Sequence, residues 1–361
     1  MNFCKNPINI SYMAVPQSPK LSLNQLQFVK RKAVNLSQAE LIKATALVSD
    51  SFLPLLIQPA GEGINLISWA ASNRELIESY LLKHGGILFR NFHLLDLVEF
   101  EKFIQTVSGE LLQYVDRSSP RSAIQGKIYT STDYPPDQSI FLHSENSYAA
   151  SWPLKIFFHC VTPAQQGGET PIADTRRLLQ QINPKIRDRF IETGVMYVRN
   201  FGDGFGLPWQ TVFQTTNPDE VEEFCRSNHI EFEWKPGNRL RTRTHRQAIA
   251  THPKTGETVW FNHAAFFHVT TLEAKIRTAL LAEFSEEDLP HNTYYGNGSP
   301  IEPEVLDAIR TIYQQETVLF PWQAGDILML DNMLTAHGRQ PFIGERKVVV
   351  GMSEVFSSQE I

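Results

Sequence analysis

Two His-x-acid pairs occur among the eleven histidines of the chain: His143-Ser144-Glu145 and His229-Ile230-Glu231. An imidazole and a carboxylate two residues apart on an extended chain point to the same side and can ligate one metal ion. With acids at about one position in nine, chance alone supplies roughly one such pair, so spacing by itself decides nothing. His229–Glu231 falls where a helical segment passes into the charged, aromatic run EFEWKPG and reads as a surface or strand-edge pair. His143–Glu145 closes SIFLHSE, whose β-branched and aromatic near-alternation predicts a strand with both side chains on one face. A second imidazole would complete a two-histidine, one-carboxylate set, which leaves three adjacent positions open on octahedral Fe(II) for oxygen and a chelating co-substrate. His337 is the candidate, because GDILMLDNMLTAHGRQPFIGER reads as a strand, a polar turn and a return strand that can deliver it opposite the first pair. Taken alone, His337 reads as a structural histidine rather than a ligand.

Two further features stand in the same order along the chain. Gly167-Gly168-Glu169-Thr170-Pro171 follows Glu145 by about 25 residues, and Arg346 follows His337 by nine. A threonine hydroxyl and an arginine fork together make a receptor for a carboxylate, which the guanidinium can pair bidentately. In isolation the two glycines are a turn and Arg346 is a surface charge beside Glu345; the combination HxE, GGETP, H…R favours a dicarboxylate co-substrate.

The elements that must position these groups are legible in part. Helical patterns at Gln38–Val48 and Ser68–Lys83 precede Gly85-Gly86 and the buried-strand run Ile87–Phe89; a further helix is predicted at about Leu94–Val107. SIFLHSE and LKIFFHC are strands around a Ser147–Pro153 turn. Short helices follow at Asp174–Gln181, Pro184–Thr193 and Asp219–Asn228. Strands are predicted at Ile230–Trp234, Arg239–Arg243, Ala248–Thr251 and Thr258–Phe261, with HPKTG as a hairpin turn. Helices at Leu272–Glu286 and Glu302–Gln315 lead to strands Thr317–Pro321, Asp326–Leu330 and Lys347–Ser353. No linker-like stretch interrupts this order. The reading is a mainly β protein with helical decorations, a β-sandwich or jelly roll, forming one domain over residues 25–361 behind a Ser-, Pro- and Asn-rich flexible leader to about Asn24.

Composition narrows the class. Hydrophobic residues at 42% and charged ones at 20% describe a globular chain able to bury a core. Lys+Arg 33 against Asp+Glu 39, a net charge of −6 with no polybasic run, leaves no electrostatic footprint for nucleic acid or an anionic membrane. Cys4, Cys160 and Cys225 are too few and too scattered for a disulfide framework or a thiolate metal site. With no export signal and no long apolar run, the expected location is the cytoplasm, and the expected partner a small molecule or another protein.

In this order and spacing, the motifs resemble the Fe(II)/2-oxoglutarate dioxygenases of the TauD/TfdA-like superfamily, from about Pro54 to Ser353. GILFRNF (86–92), IFLHSENSYAASWPLKIFFHCVTPAQQGGETPIAD (140–174), WFNHAAFFH (260–268) and GDILMLDNMLTAHGRQPFIGERKVVVGM (325–352) carry the likeness. They are most similar to the SyrP-like, syringomycin-biosynthesis hydroxylase branch, with clavaminate synthase more distant. The resemblance implies a clavaminate synthase-like double-stranded β-helix with Fe(II) on His143, Glu145 and His337. It also implies 2-oxoglutarate chelating the iron, its far carboxylate on Thr170 and Arg346, and O2 as the other co-substrate. The implied reaction is hydroxylation of an aliphatic C–H of an amino-acid-derived substrate, free or tethered to a carrier protein, in specialised metabolism, with 2-oxoglutarate leaving as succinate and CO2. Desaturation, epoxidation or ring closure is the runner-up, and a non-enzymatic β-sandwich binding protein the alternative of another class.

Departures from the family pattern also inform. Ser144 stands where the branch usually has Asn, at a position that does not ligate. Val350 stands where taurine dioxygenase carries the Arg for its substrate sulfonate, which disfavours a sulfonate. Glu145 fills the position that related halogenases leave open for chloride, and the N-terminus, with only Cys4, lacks the zinc module of γ-butyrobetaine hydroxylases. Candidate substrate contacts are Asn146 and Tyr148, just after the ligand pair, and Asn262 and His263, for which a hydrogen-bonded core pair is the competing reading. Phe261, Phe266 and Phe267 read as core. Arg241, Arg243 and Arg246 read as a solvated face, and a carrier arm is the alternative. Residues 202–237 are expected to be an insertion that lids the site.

Overall fold

Four apolar runs, Gly86–Phe89, Ser151–Thr162, Ile327–Asp331 and Lys347–Ser357, lie side by side as the spine of the fold, which was analysed as a computed structural model. The structure describes residues 41–48, 51–92, 96–113, 123–130, 134–202 and 206–357. The chain divides into Met1–Leu36 and Ser37–Ile361, and every described residue belongs to the second unit. The expected leader over residues 1–24 and the first part of the expected helix Gln38–Val48 lie outside the described residues.

In chain order, β1 (Ile42–Ala46) and β2 (Leu55–Pro59) lead to α1 (Leu66–Ser72), α2 (Arg74–His84), β3 (Gly86–Phe89) and α3 (Leu97–Ser108). Next come β4 (Ala123–Gln125), β5 (Ile128–Thr130), β6 (Ile140–His143), β7 (Ser151–Thr162), β8 (Gln166–Gly167) and β9 (Ile172–Asp174). α4 (Thr175–Gln181) and α5 (Pro184–Thr193) precede β10 (Val195–Phe201), α6 (Trp209–Phe213), α7 (Pro218–Ser227), β11 (Ile230–Lys235) and β12 (Arg239–Arg246). The hairpin β13 (Ile249–Thr251) and β14 (Thr258–Trp260) is followed by α8 (Ala264–Phe267), α9 (Ala274–Glu283), β15 (His291–Tyr295) and α10 (Pro303–Gln315). β16 (Ile327–Asp331), β17 (Thr335–Arg339), β18 (Phe342–Ile343) and β19 (Lys347–Ser357) complete the order.

The main sheet runs β1-β2-β3-β16-β7-β19-β5-β4 and is antiparallel except for the β2–β3 pair. Its central strands read as continuous apolar runs because both faces are covered. Ile87, Phe89, Phe157, Ile327, Met329 and Val349 face Trp69, Leu81, Phe100 and Phe103 of α1–α3. The alternate residues Leu88, Phe158, Leu328, Leu330, Val348 and Val350 face inward, in one cluster with Ile172 of β9. Beyond that inner layer lies the three-stranded sheet β6-β17-β9, which carries two of the candidate ligands. A separate four-stranded sheet, β11-β12-β10-β15, packs its own small core of Phe201, Trp209, Val212, Val221, Cys225 and Leu240.

The fold is mixed α/β rather than mainly β: helices cover a whole face of the main sheet instead of decorating it. The Gln38–Val48 pattern is not a helix in its described part, because Ile42–Ala46 pairs with Leu55–Pro59 as an edge strand. Ser68–Lys83 is two helices, broken at Asn73, whose side-chain amide donates to the Trp69 carbonyl at 2.7 Å. α2 stops at Gly85, left-handed at φ 73°, where a Cβ would meet Thr335 Oγ1 at 2.6 Å, so only glycine lets this turn approach β17 so closely. Thr317–Pro321 is not a strand; it makes one isolated bridge, Val318 to Ile172.

Candidate metal centre

His143 ends β6 and His337 lies mid-way along β17, and the antiparallel register places them directly opposite each other. Their rings are 4.6 Å apart between centroids. Glu145 is not on the strand, as the alternation had predicted. The chain leaves β6 after His143 and turns, with Asn146 left-handed at φ 57°, so the carboxylate is brought to the imidazoles by a turn and not by the pleat. Glu145 Oε2 stands 3.9 Å from Nε2 of both His143 and His337. That is too long for a hydrogen bond, and it leaves the three ligand atoms near enough to hold one ion.

The donor set fits a first-row divalent metal. One ligand atom from each of the three residues falls within 4.8 Å of the others. His143 Nδ1 lies 2.8 Å from the Phe141 carbonyl, which can only accept, so the proton sits on Nδ1 and the Nε2 lone pair faces Glu145 and His337. Glu145 and His337 are buried, and Phe266 stacks on the His143 ring at 4.9 Å while Phe158 packs on His337 at 5.1 Å. This apolar cover keeps bulk water from the back of the site.

Asn332, in the turn between β16 and β17, holds the Glu145 backbone. Its Oδ1 accepts from Glu145 N–H at 2.7 Å, and its Nδ2 donates to the carbonyls of Glu145 at 2.9 Å and Pro153 at 2.8 Å. The same turn is held by Asp331, whose Oδ1 accepts from the N–H groups of Met333 and Leu334 while Oδ2 lies 3.0 Å from His252 Nε2. Sequence reasoning passed over Asn332, Asp331 and His252. The only signal was the buried polar pair Asp331-Asn332 between two apolar runs.

Thr170 and Arg346 flank the Gly167-Gly168 turn. Thr170 is buried and its hydroxyl oxygen accepts from Trp322 Nε1 at 3.2 Å, which leaves its own proton to donate. Arg346 Nε donates to the Gly168 carbonyl at 2.8 Å. Burial and the neighbouring Arg339 guanidinium push Arg346 down to about 10, still a cation at neutral pH. Arg90 and Asp326 form a buried ion pair at 2.6 Å, and Arg90 also donates to the Pro321 carbonyl, which steadies the segment bearing Trp322.

The remaining sequence candidates are distributed around this centre. His263 is buried 5.4 Å from His143 between ring centroids, with Nδ1 2.6 Å from Ser147 Oγ. Burial and the adjacent imidazoles hold it well below the ordinary histidine value, so it is neutral. Tyr148 packs edge-on to His263 at 5.0 Å, and Asn146 accepts from its hydroxyl at 3.4 Å. Asn262 spends its amide on the backbone, donating to Ala248 and accepting from Ala264. Arg241 is not on a solvated face: it is buried and paired with Asp288 at 2.5 Å. His229–Glu231 stays apart from the centre, Glu231 facing His245.

Together, two histidines on paired strands and a carboxylate on the adjoining turn, inside a sandwich of sheets, define a non-haem iron oxygenase site. The chain belongs to the taurine catabolism dioxygenase TauD, TfdA family, whose model matches residues 51–352, and it is an Fe(II)/2-oxoglutarate-dependent dioxygenase. It is 41% identical over 285 residues to the dapdiamide synthesis protein DdaC of Enterobacter agglomerans, covering 79% of this chain and 87% of that protein. It is 27% identical to a clavaminate synthase-like protein of Arabidopsis thaliana, covering 78% and 85%. The fold matches the crystal structure of PvcB from Pseudomonas aeruginosa with a TM-score of 0.51 at 14% identity, covering 86% and 90%. The likeness therefore runs to the family as a whole, with DdaC as a relative, and not specifically to the SyrP-like branch. Among the described residues, no helix is long and apolar enough to cross a membrane.

Proposed function

We propose that this chain hydroxylates an aliphatic C–H of an amino-acid-derived substrate, free or carrier-tethered, in cytoplasmic specialised metabolism. The observation that carries the reading is the facial set of His143, Glu145 and His337, of which His143 lines a cavity of about 720 Å³, in a chain 41% identical to a dapdiamide synthesis protein. Fe(II), when bound, would let O2 act as the oxidant, one oxygen atom going into succinate as 2-oxoglutarate loses CO2 and the other to the substrate.

The chain's own residues prepare that chemistry. His143, Glu145 and His337 hold the metal and leave one face open. Arg346 and Thr170 receive the distal carboxylate of 2-oxoglutarate, the first through a charged fork and the second through its hydroxyl proton. Phe266 and Phe158 exclude water. The buried, neutral His263, with Tyr148 and Asn146 beside it, shapes the open side against the substrate. Residues 202–237 cover the site: Gly206, Leu207 and Val212 line the large cavity, and Phe213 and Phe224 a smaller one. Residues 203–205 of this cover lie outside the described residues.

The test is an anaerobic titration of the apo-protein with Fe(II) and 2-oxoglutarate. A weak visible charge-transfer band is expected in the parent and not in His337→Ala. Absence of the band in folded parent protein would favour the binding-protein reading. With substrate and O2, a product heavier by one oxygen that keeps its double bonds supports hydroxylation; gain of one oxygen with loss of a double bond supports epoxidation, and loss of two hydrogens supports desaturation or ring closure.

A further inference from the structure

Two cavities meet at one cationic side chain. Arg199 lies on β10, with Thr242 and His291 as its register partners on either side. Residues directly opposite each other in an antiparallel sheet share a face, so Thr242, Arg199 and His291 form one row on it. Thr242 lines the smaller cavity of about 360 Å³, His291 lines the larger, and Arg199 lines both. His143 stands on the wall of the larger cavity.

Aromatic rings fix the guanidinium at that junction. Its central carbon is 5.0 Å from the Phe201 ring centroid and 5.8 Å from that of Tyr148. Tyr148 in turn packs on His263, and His263 on His143, so Arg199 lies two rings away from a metal ligand. Among the described residues lining the smaller cavity, Arg199 and Arg246 are the charged ones and no carboxylate is present. In the larger cavity Arg310 is paired with Asp307 at 2.8 Å and Glu273 is a second lining carboxylate. On the side of the smaller cavity the electrostatics therefore favour an anion.

We propose that Arg199 receives a carboxylate of the prime substrate, so that the enzyme takes a small, elongated amino-acid-derived acid with its anionic end at the cavity junction and its reacting carbon beside His143. This rests on the function proposed above and names its substrate class. The same guanidinium chemistry would serve the phosphodiester of a carrier-protein arm. The position of Arg199, between two rings and inside the cavities, favours the substrate's own carboxylate over a group that must stay close to a docked carrier.

The experiment uses the full-length protein loaded anaerobically with Fe(II) and 2-oxoglutarate. The probes are N-acetyl derivatives of alanine, valine, leucine and lysine, their C-terminal carboxamides, and the phosphopantetheine thioesters of the same acids. The readout is perturbation of the charge-transfer band as each probe enters. At least one free acid is expected to perturb the band at millimolar concentration or below, and its carboxamide to bind about tenfold more weakly or worse. Arg199→Gln should abolish that difference by weakening the acid alone, and Arg199→Lys should restore part of it. The band before probe addition should be the same in both variants, which reports an intact fold and iron site. Equal binding of acid and amide, no response to any acid, an unchanged acid affinity in Arg199→Gln, or an Arg199-dependent response confined to the thioesters would each overturn the assignment. Failure of the band in the parent would instead strike the function proposed above.

Discussion

Asn332 grips the Glu145 peptide by both edges of its amide, accepting from the N–H at 2.7 Å and donating to the carbonyl at 2.9 Å. Two residues separated by 187 positions are thereby locked together, and the carboxylate that follows no strand acquires a fixed origin. Substituting Asn332→Ala should leave buried backbone groups unsatisfied, costing about 1–3 kcal/mol of stability. It should also weaken Fe(II) binding by roughly 10–100-fold, the usual effect of losing a group that orients a ligand. Urea unfolding and Fe(II) titration check the two effects separately; unchanged Fe(II) affinity would contradict the positioning role.

Arg346→Lys keeps a cation but loses the planar fork. If Arg346 holds the distal carboxylate of 2-oxoglutarate, the KM for 2-oxoglutarate should rise by about 10²-fold, from the loss of a charge-assisted bidentate pair worth a few kcal/mol, while Fe(II) affinity holds. Ordinary turnover at ordinary 2-oxoglutarate concentration would count against the assignment.

Gly168→Ala offers an independent approach to the same site. The new Cβ would lie 2.9 Å from Arg346 Cδ and 3.1 Å from its Nε, at a residue with φ 76°. The left-handed conformation costs roughly 1–2 kcal/mol with a side chain, and the guanidinium is displaced in addition. The expected signature is a raised 2-oxoglutarate requirement with the iron site intact, read by titrating the charge-transfer band with 2-oxoglutarate. No shift in that titration would argue that Arg346 and the co-substrate do not meet.

His268 should make the protein acid-sensitive. It is buried, and burial together with Arg310 and Arg277 pushes it down to about 4. An unfolded chain takes up this proton near pH 6.5 while the folded one resists it to about pH 4, so stability falls with pH across that window and by about 3 kcal/mol in total. His268→Gln should flatten the corresponding part of the stability profile, by up to about 1.4 kcal/mol per pH unit. An identical slope in denaturant titrations at pH 4 to 7 would sink the prediction.

Much of the architecture was legible because burial leaves a pattern. Ile156–Phe158 and Ile327–Leu330 are apolar on successive residues, as strands covered on both faces must be, and Pro184–Thr193 carries its proline start and glycine stop. Where local pattern and long-range pairing disagreed, pairing prevailed. Ile42–Ala46 has helix-compatible spacing but lies against Leu55–Pro59. Phe320, in the run Thr317–Pro321 that reads as a strand, packs instead with Trp322 into the inner cluster, beside a segment tied to Arg90.

The sequence by itself supplied the ligand types and their order, because the combination of HxE, GGETP and H…R, and not any one spacing, stands above chance. Only the tertiary structure decided how they meet. His143 and His337 face each other through the register of β6 and β17, and Glu145 arrives on a turn held by Asn332. Arg199 reaches the same cavity from a separate sheet. Residue type and short-range spacing are local properties of a chain, whereas register, cavity walls and a hydrogen bond spanning 187 positions arise from packing.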